Sequence, residues 1–180
     1  MRKTIGIFMA TIFCLAMITT GQTQQKVVNF KKLQEFLPQI DLPGFTKGKP
    51  AGQTSTAMGM ATSEASLRYE KAEKGETISV EVQIEDTAGI PFAGAGMSML
   101  GLTEFENQTE NGYEKSVKIQ GFSGTEKMEN GEYKSAEINL VVANRFMVSV
   151  KGDGTSDVAS LRKLIDSMNL ADLGKLAQSQ

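Results

Sequence analysis

Ten methionines and no histidine set the chemistry open to this chain. Four of those methionines form two M-x-M pairs, Met58-Gly59-Met60 and Met97-Ser98-Met99. Thioether sulfur is a soft ligand that selects Cu(I), so Met58, Met60, Met97 and Met99 would make a copper site if the two segments meet. The competing reading is packing, because methionine fills irregular apolar gaps and alternate spacing on a strand or loop produces the same pattern. Without histidine, serine-hydrolase triads, imidazole acid-base catalysis and histidine metal sites all lack their central residue. The chain's one cysteine, Cys14, lies in an apolar leader, so thiol nucleophiles, zinc-thiolate sites and covalent haem attachment are also unsupported.

Shorter matches carry little weight. Gly96-Met97-Ser98-Met99-Leu100 has leucine where a hydrolase nucleophile elbow needs glycine for its sharp turn. Ser160-Leu161-Arg162-Lys163 fits the S-x-x-K of serine acyltransferases, but it lies on an amphipathic helix without that family's partner motifs. Gly152-Asp153-Gly154 reads as a tight strand-to-helix connection, since Asp153 and Asp157 would repel an anion and fall short of a calcium loop. Asn107-Gln108-Thr109 is a glycosylation sequon of the kind that occurs by chance. Arg145, beside the turn residue Asn144, is a conceivable anion contact, though a turn arginine is more often solvated or ion-paired at the surface.

The remaining candidate is the uncharged stretch 87–103, where Ile90, Phe92, Met97, Met99, Leu100 and Leu102 are interleaved with glycines. Each glycine costs a helix about 1 kcal/mol relative to alanine, which leaves such a segment apolar and free to move. Phe92, Met97, Met99 and Leu100 are the expected contacts for a partner protein or an apolar ligand. The alternative is a glycine-rich crossover packed on a sheet.

The elements that must position these residues follow from periodicity. Arg2-Lys3, the apolar run Ile5 to Ile18 and Thr19-Thr20-Gly21 have the charge, core and small-residue order of a signal peptide. That run is about 14 residues, short of the roughly 20 a spanning helix needs, so no stable membrane span is expected after its removal. Phe13 precedes Cys14 where lipoprotein processing wants a small residue, which disfavours lipidation. Cleavage after Gly21 makes the protein periplasmic or extracellular. It leaves 159 of the 180 residues and lowers the basic count from 19 to 17 against 21 acidic residues, a net of −4. Nucleic acid is an unfavourable partner for that charge.

The expected organisation is a signal peptide at 1–21, a disordered N-terminus at 22–28, one domain at 29–177 and a polar tail at 178–180. Asn29 caps a short helix carrying Phe30, Leu33, Phe36 and Leu37 on one face until Pro38 stops it. Residues 38–50 read as an irregular connection, and the uncharged run 53–62 as loop or the start of a strand. Period-two alternation then marks a hairpin through Ala65, Leu67 and Tyr69 and back through Ile78, Val80, Val82 and Ile84. A second runs through Ala136, Ile138, Leu140 and Val142, turns at Ala143-Asn144 and returns through Phe146, Val148 and Val150. Weaker strands fall near 112–120 and 122–128. A closing helix starts near Ser156 or Asp157 with Val158, Leu161, Leu164, Ile165 and Met168 on its apolar stripe, and a last helical turn carries Leu170, Leu173 and Leu176. These elements predict an α+β domain: one antiparallel sheet of about five to six strands with an N-terminal and a C-terminal helix packed on it.

The order Gly121-Phe122-Ser123-Gly124-Thr125-Glu126, Tyr133 to Leu140, Asn144 to Gly152 and a helix ending Ile165-Asp166-Ser167-Met168-Asn169-Leu170 resembles small exported bacterial proteins of uncharacterised function. It is distantly similar to the PsbP-like α/β/α sandwich. The resemblance covers about residues 63–170 and carries no catalytic residue. It implies an antiparallel sheet between helices and a binding or assembly role. The expectation is therefore an exported non-enzymatic binding protein without a cofactor, recognising an envelope protein or a small apolar ligand. The alternative is Cu(I) binding or trafficking.

Overall fold

A computed structural model of the chain describes residues 26–57, 60–73, 75–90 and 104–178. The alternating segments pair into one antiparallel sheet of nine strands: β1 (Thr46–Lys47), β2 (Ala51–Ala57), β3 (Met60–Glu73), β4 (Glu76–Asp86), β5 (Glu106–Thr109), β6 (Gly112–Ile119), β7 (Phe122–Asn130), β8 (Lys134–Val142) and β9 (Phe146–Asp153). Across the sheet the order is β3, β4, β9, β8, β7, β6, β5, with β1 and β2 both paired to the outer side of β3.

The architecture corrects the expectation of about five to six strands flanked by terminal helices. Strand accounts for 53% of the described residues and helix for 15%. The helices are short: α1 (Phe30–Gln34), α2 (Val158–Asp166) and α3 (Leu170–Leu176). The additional strands are β1, inside the proline-rich connection, β2, which overlaps the start of the uncharged run read as loop or the start of a strand, and β5. Each runs along an outer side of the sheet, and β2 and β5 expose nearly every residue, so a hydrophobic alternation has no buried face to record. The first helix ends after one turn at Glu35, and i→i+3 turns through Phe36 and Leu37 lead from it to Pro38, where helical backbone cannot continue.

Register explains the core. Ala65, Leu67 and Tyr69 of β3 stand opposite Ile84, Val82 and Val80 of β4, which in turn face Val148, Val150 and Gly152 of β9. Ile138 and Leu140 of β8 complete the row against Val150 and Val148. Leu33 and Leu37 from the N-terminal segment and Leu161, Leu164, Ile165, Leu170 and Leu173 from α2 and α3 close over this face. Each fully buried aliphatic side chain contributes roughly 1.5–3 kcal/mol. Asn29 caps α1 through Lys31 N, Asp157 caps α2 through Ser160 N, and Asn169 caps α3 through Asp172 N.

Two hairpin turns place a pair of consecutive residues in left-handed backbone. Gln120 and Gly121 have φ of 50° and 87°, and Ala143 and Asn144 have φ of 53° and 52°. Gln120 offsets its strain by donating from Nε2 to the carbonyls of Ile165 (2.8 Å) and Met168 (3.1 Å), capping the end of α2.

The opposite face is open and charged. Arg68, Glu81, Lys151, Glu137, Lys127 and Glu114 stand in register across six strands, alternating in sign. Each cation also bonds an acid two residues along its own strand: Arg68 to Glu70 (2.9 Å), Lys151 to Asp153 (2.9 Å) and Lys127 to Glu129 (2.8 Å). The Lys151 ammonium is pushed up first by its hydrogen bond to Asp153 and then by the charges of Asp153, Glu137 and Glu81. Such exposed pairs stabilise little, but they satisfy one another and keep the face wet.

Candidate functional site

Phe92, Met97, Met99 and Leu100, together with Met58, lie outside the described residues. Met60 is described: it opens β3 opposite Ala57 and is 45% exposed. The start of the 87–103 stretch is held, with Thr87 buried and donating from both N (3.1 Å) and Oγ1 (2.8 Å) to Arg145 O. Gly89 lies against the Ala61 backbone, where a Cβ would stand 2.1 Å from the carbonyl oxygen.

Other candidates resolve into structural roles. Ser160 Oγ donates to Asp157 Oδ2 at 2.6 Å inside a helix cap, and Lys163 is exposed. Gly154 takes φ of 78° and donates to Lys134 O at 2.9 Å, binding the connection into α2 to the start of β8. The sequon residues Asn107 to Thr109 lie exposed on β5.

Arg145 is ion-paired, but the pair is buried and not at the surface where a solvated or ion-paired turn arginine is expected. Its side chain is only 5% exposed and grips Asp86, itself 0% exposed, through Nε to Oδ1 (2.9 Å) and Nη2 to Oδ2 (2.8 Å). Nη2 also donates to Lys26 O (2.9 Å), while Val28 N (2.6 Å) and Ala88 N (3.0 Å) donate to the same carboxylate. One pair thus joins the residues ahead of α1, the end of β4 and the β8–β9 turn, and Val27 and Val28 are buried beside it. Arg145 Nη1 is buried without a hydrogen-bond partner. Asp86 continues the inward parity of Val80, Val82 and Ile84, and that carboxylate at a core position is the signal in the sequence that could have located the pair.

A second buried carboxylate, Glu126 on β7, sits at the margin of the helix layer. Its Oε1 accepts from the Tyr113 hydroxyl (2.9 Å), with Lys115 Nζ at 3.6 Å, and its Oε2 accepts from Arg162 Nε (2.6 Å) and Nη2 (2.5 Å). Burial pushes the Tyr113 phenol up first, followed by its hydrogen bond to Glu126 and that residue's charge, while Arg162 pulls it down. Both oxygens are engaged within the protein, so the cluster ties α2 to β6 and β7. Among the described residues, no group of three or more acidic residues is arranged to hold a metal ion.

Among the described residues, the outer strands of the sheet present main-chain groups that a further strand could pair with. Beside Gln108, Asn111, Tyr113, Met128 and Asn130 a shallow cleft of about 390 Å³ opens to solvent. The longer feature is β2. Its seven residues, Ala-Gly-Gln-Thr-Ser-Thr-Ala, carry no charge and no proline, and all but Gly52 are exposed. Among the described residues β2 pairs with β3 alone, so one side of its backbone is unpaired. It is also held in place: Phe30 N donates to Thr54 Oγ1 (3.0 Å), Thr54 Oγ1 bonds Ser63 Oγ (2.8 Å), and the Phe30 ring covers Gly52. At the other margin β5 has four residues and sits among exposed Glu104, Glu106 and Glu110.

No family model, curated protein or solved structure matches this chain. Among the described residues no helix is long and apolar enough to cross a membrane.

Proposed function

We propose that this is an exported, non-enzymatic binding or assembly protein that recognises a partner polypeptide by adding its strand to β2. The observation that carries this reading is the seven-residue uncharged strand with one backbone side unpaired among the described residues. Proteins usually blunt such edges with lysine, proline, bulges or short length, because an open edge is a template for another chain. Lys47, Lys49 and Pro50 precede β2, and the seven residues themselves carry no such device. The charged sheet face is less suited to docking, since its ions already pair with one another. The two buried carboxylates are occupied from within the protein, which argues against acid-base catalysis by either.

The test is site-specific photo-crosslinking in the cells that export the protein. A photoreactive residue at Ser55 should join one defined polypeptide, and the same residue at Asn107 of β5 should not. Equal yields from the two strands, or none from Ser55, would remove the proposal.

A further inference from the structure

Resting on that reading, we infer that the strand received by β2 is the β2 of a second copy of this chain, paired antiparallel about a two-fold axis through Thr54. In that register Ala51 faces Ala57, Gly52 faces Thr56 and Gln53 faces Ser55, each pair crossing between copies. No charged or bulky group meets its like. An isologous contact of this kind closes on itself and yields a dimer with one continuous sheet. The flanking charge sets the direction. Lys47 and Lys49 lie at one end of β2, so antiparallel pairing holds the two copies' Lys49 side chains roughly 30 Å apart at a rise of about 3.4 Å per residue. That exceeds a screening length of about 8–10 Å, whereas parallel pairing would bring the lysines together. The same docking at β5 would oppose two carboxylate-flanked strands. Seven paired residues fall well below the roughly 1,200–2,000 Å² of a stable interface, so the dimer is weak, with a dissociation constant on the order of micromolar to millimolar.

Sedimentation equilibrium of the purified exported chain, up to roughly millimolar concentration, tests the pairing. The exposed positions Ala51 and Ala57 lie on the open face of β2 and face each other between copies, whereas Gln53 on that face donates to Glu64 Oε1 (3.2 Å). A51K with A57K sets lysine against lysine between copies and should weaken the dimer at least tenfold. A51K with A57E sets lysine against glutamate and should restore it. A chain that stays monomeric, or a dimer indifferent to both double variants, overturns the second copy as occupant. If the chain is monomeric while Ser55 still crosslinks a different polypeptide, strand addition at β2 stands and the dimer alone fails. If the chain is monomeric and Ser55 crosslinks nothing, both fail.

Discussion

Replacing Asp86 with alanine exposes what the Arg145 pair does for the fold. The carboxylate accepts from four donors, Nε and Nη2 of Arg145, Val28 N and Ala88 N. Asp86→Ala strands a guanidinium whose Nη1 already lacks a partner, and it frees the buried Val28 amide. Breaking one side of a buried pair typically costs about 3–5 kcal/mol, a large share of the 5–15 kcal/mol that holds a domain. With a urea slope of about 2 kcal/mol per molar, the unfolding midpoint should fall by about 2 M. The loss should change little with salt, because buried charges are poorly screened. Asp86→Leu with Arg145→Met removes both charges and should recover much of the loss, giving a coupling energy above about 2 kcal/mol in a double-mutant cycle. A single-variant loss under about 1 kcal/mol, or strictly additive variants, would refute the claim that the pair joins the N-terminal segment to the sheet.

Ala143→Gly, at an exposed position with φ of 53°, should stabilise the protein by about 0.5–1 kcal/mol, read as a rise in thermal midpoint; a decrease would contradict the strained turn. The buried Tyr69 hydroxyl donates to Ile40 O at 2.8 Å, and burial first, then the Asp41 charge, push its phenol up to about 12. A group whose folded pKa exceeds its unfolded value stabilises fully below the unfolded value, so stability should decline as pH rises from about 10 towards about 12, and Tyr69→Phe should flatten that decline. Spectroscopic titration of Tyr113 should place its phenol above the ordinary range. It should move higher still in Arg162→Ala and fall in Glu126→Gln; no movement in either variant would break the proposed link between α2 and β6.

Alternation in the sequence locates the strands with one buried face: Leu67 and Tyr69, Val80 and Val82, Ile138 and Leu140, and Val148 and Val150 occupy the inward positions of β3, β4, β8 and β9. It is silent for β2 and β5, whose side chains meet solvent on both faces, and those edges changed the fold from a small sheet with terminal helices to a nine-stranded one. The Arg145 pair was hidden by distance along the chain, since its two members are 59 residues apart and only Asp86 carries inward parity, Arg145 lying in the β8–β9 turn. Glu126 is similar, a carboxylate at an inward position of a polar strand. The contacts expected in the glycine-rich stretch, Phe92, Met97, Met99 and Leu100, fall outside the described residues, and the surface proposed for recognition is built from serine, threonine and glycine with no motif. Its signal was the uncharged run that β2 occupies, which becomes informative once β3 is seen on only one side of it.

Pairing of β2 with the β2 of a second copy is tested most directly by amide hydrogen exchange across 51–57, measured on the exported chain with and without an excess of a synthetic peptide of the same seven residues. The peptide should slow the exposed β2 amides by roughly tenfold or more and leave those of β5 unchanged. Unchanged exchange in β2, or equal slowing in both strands, would contradict the account.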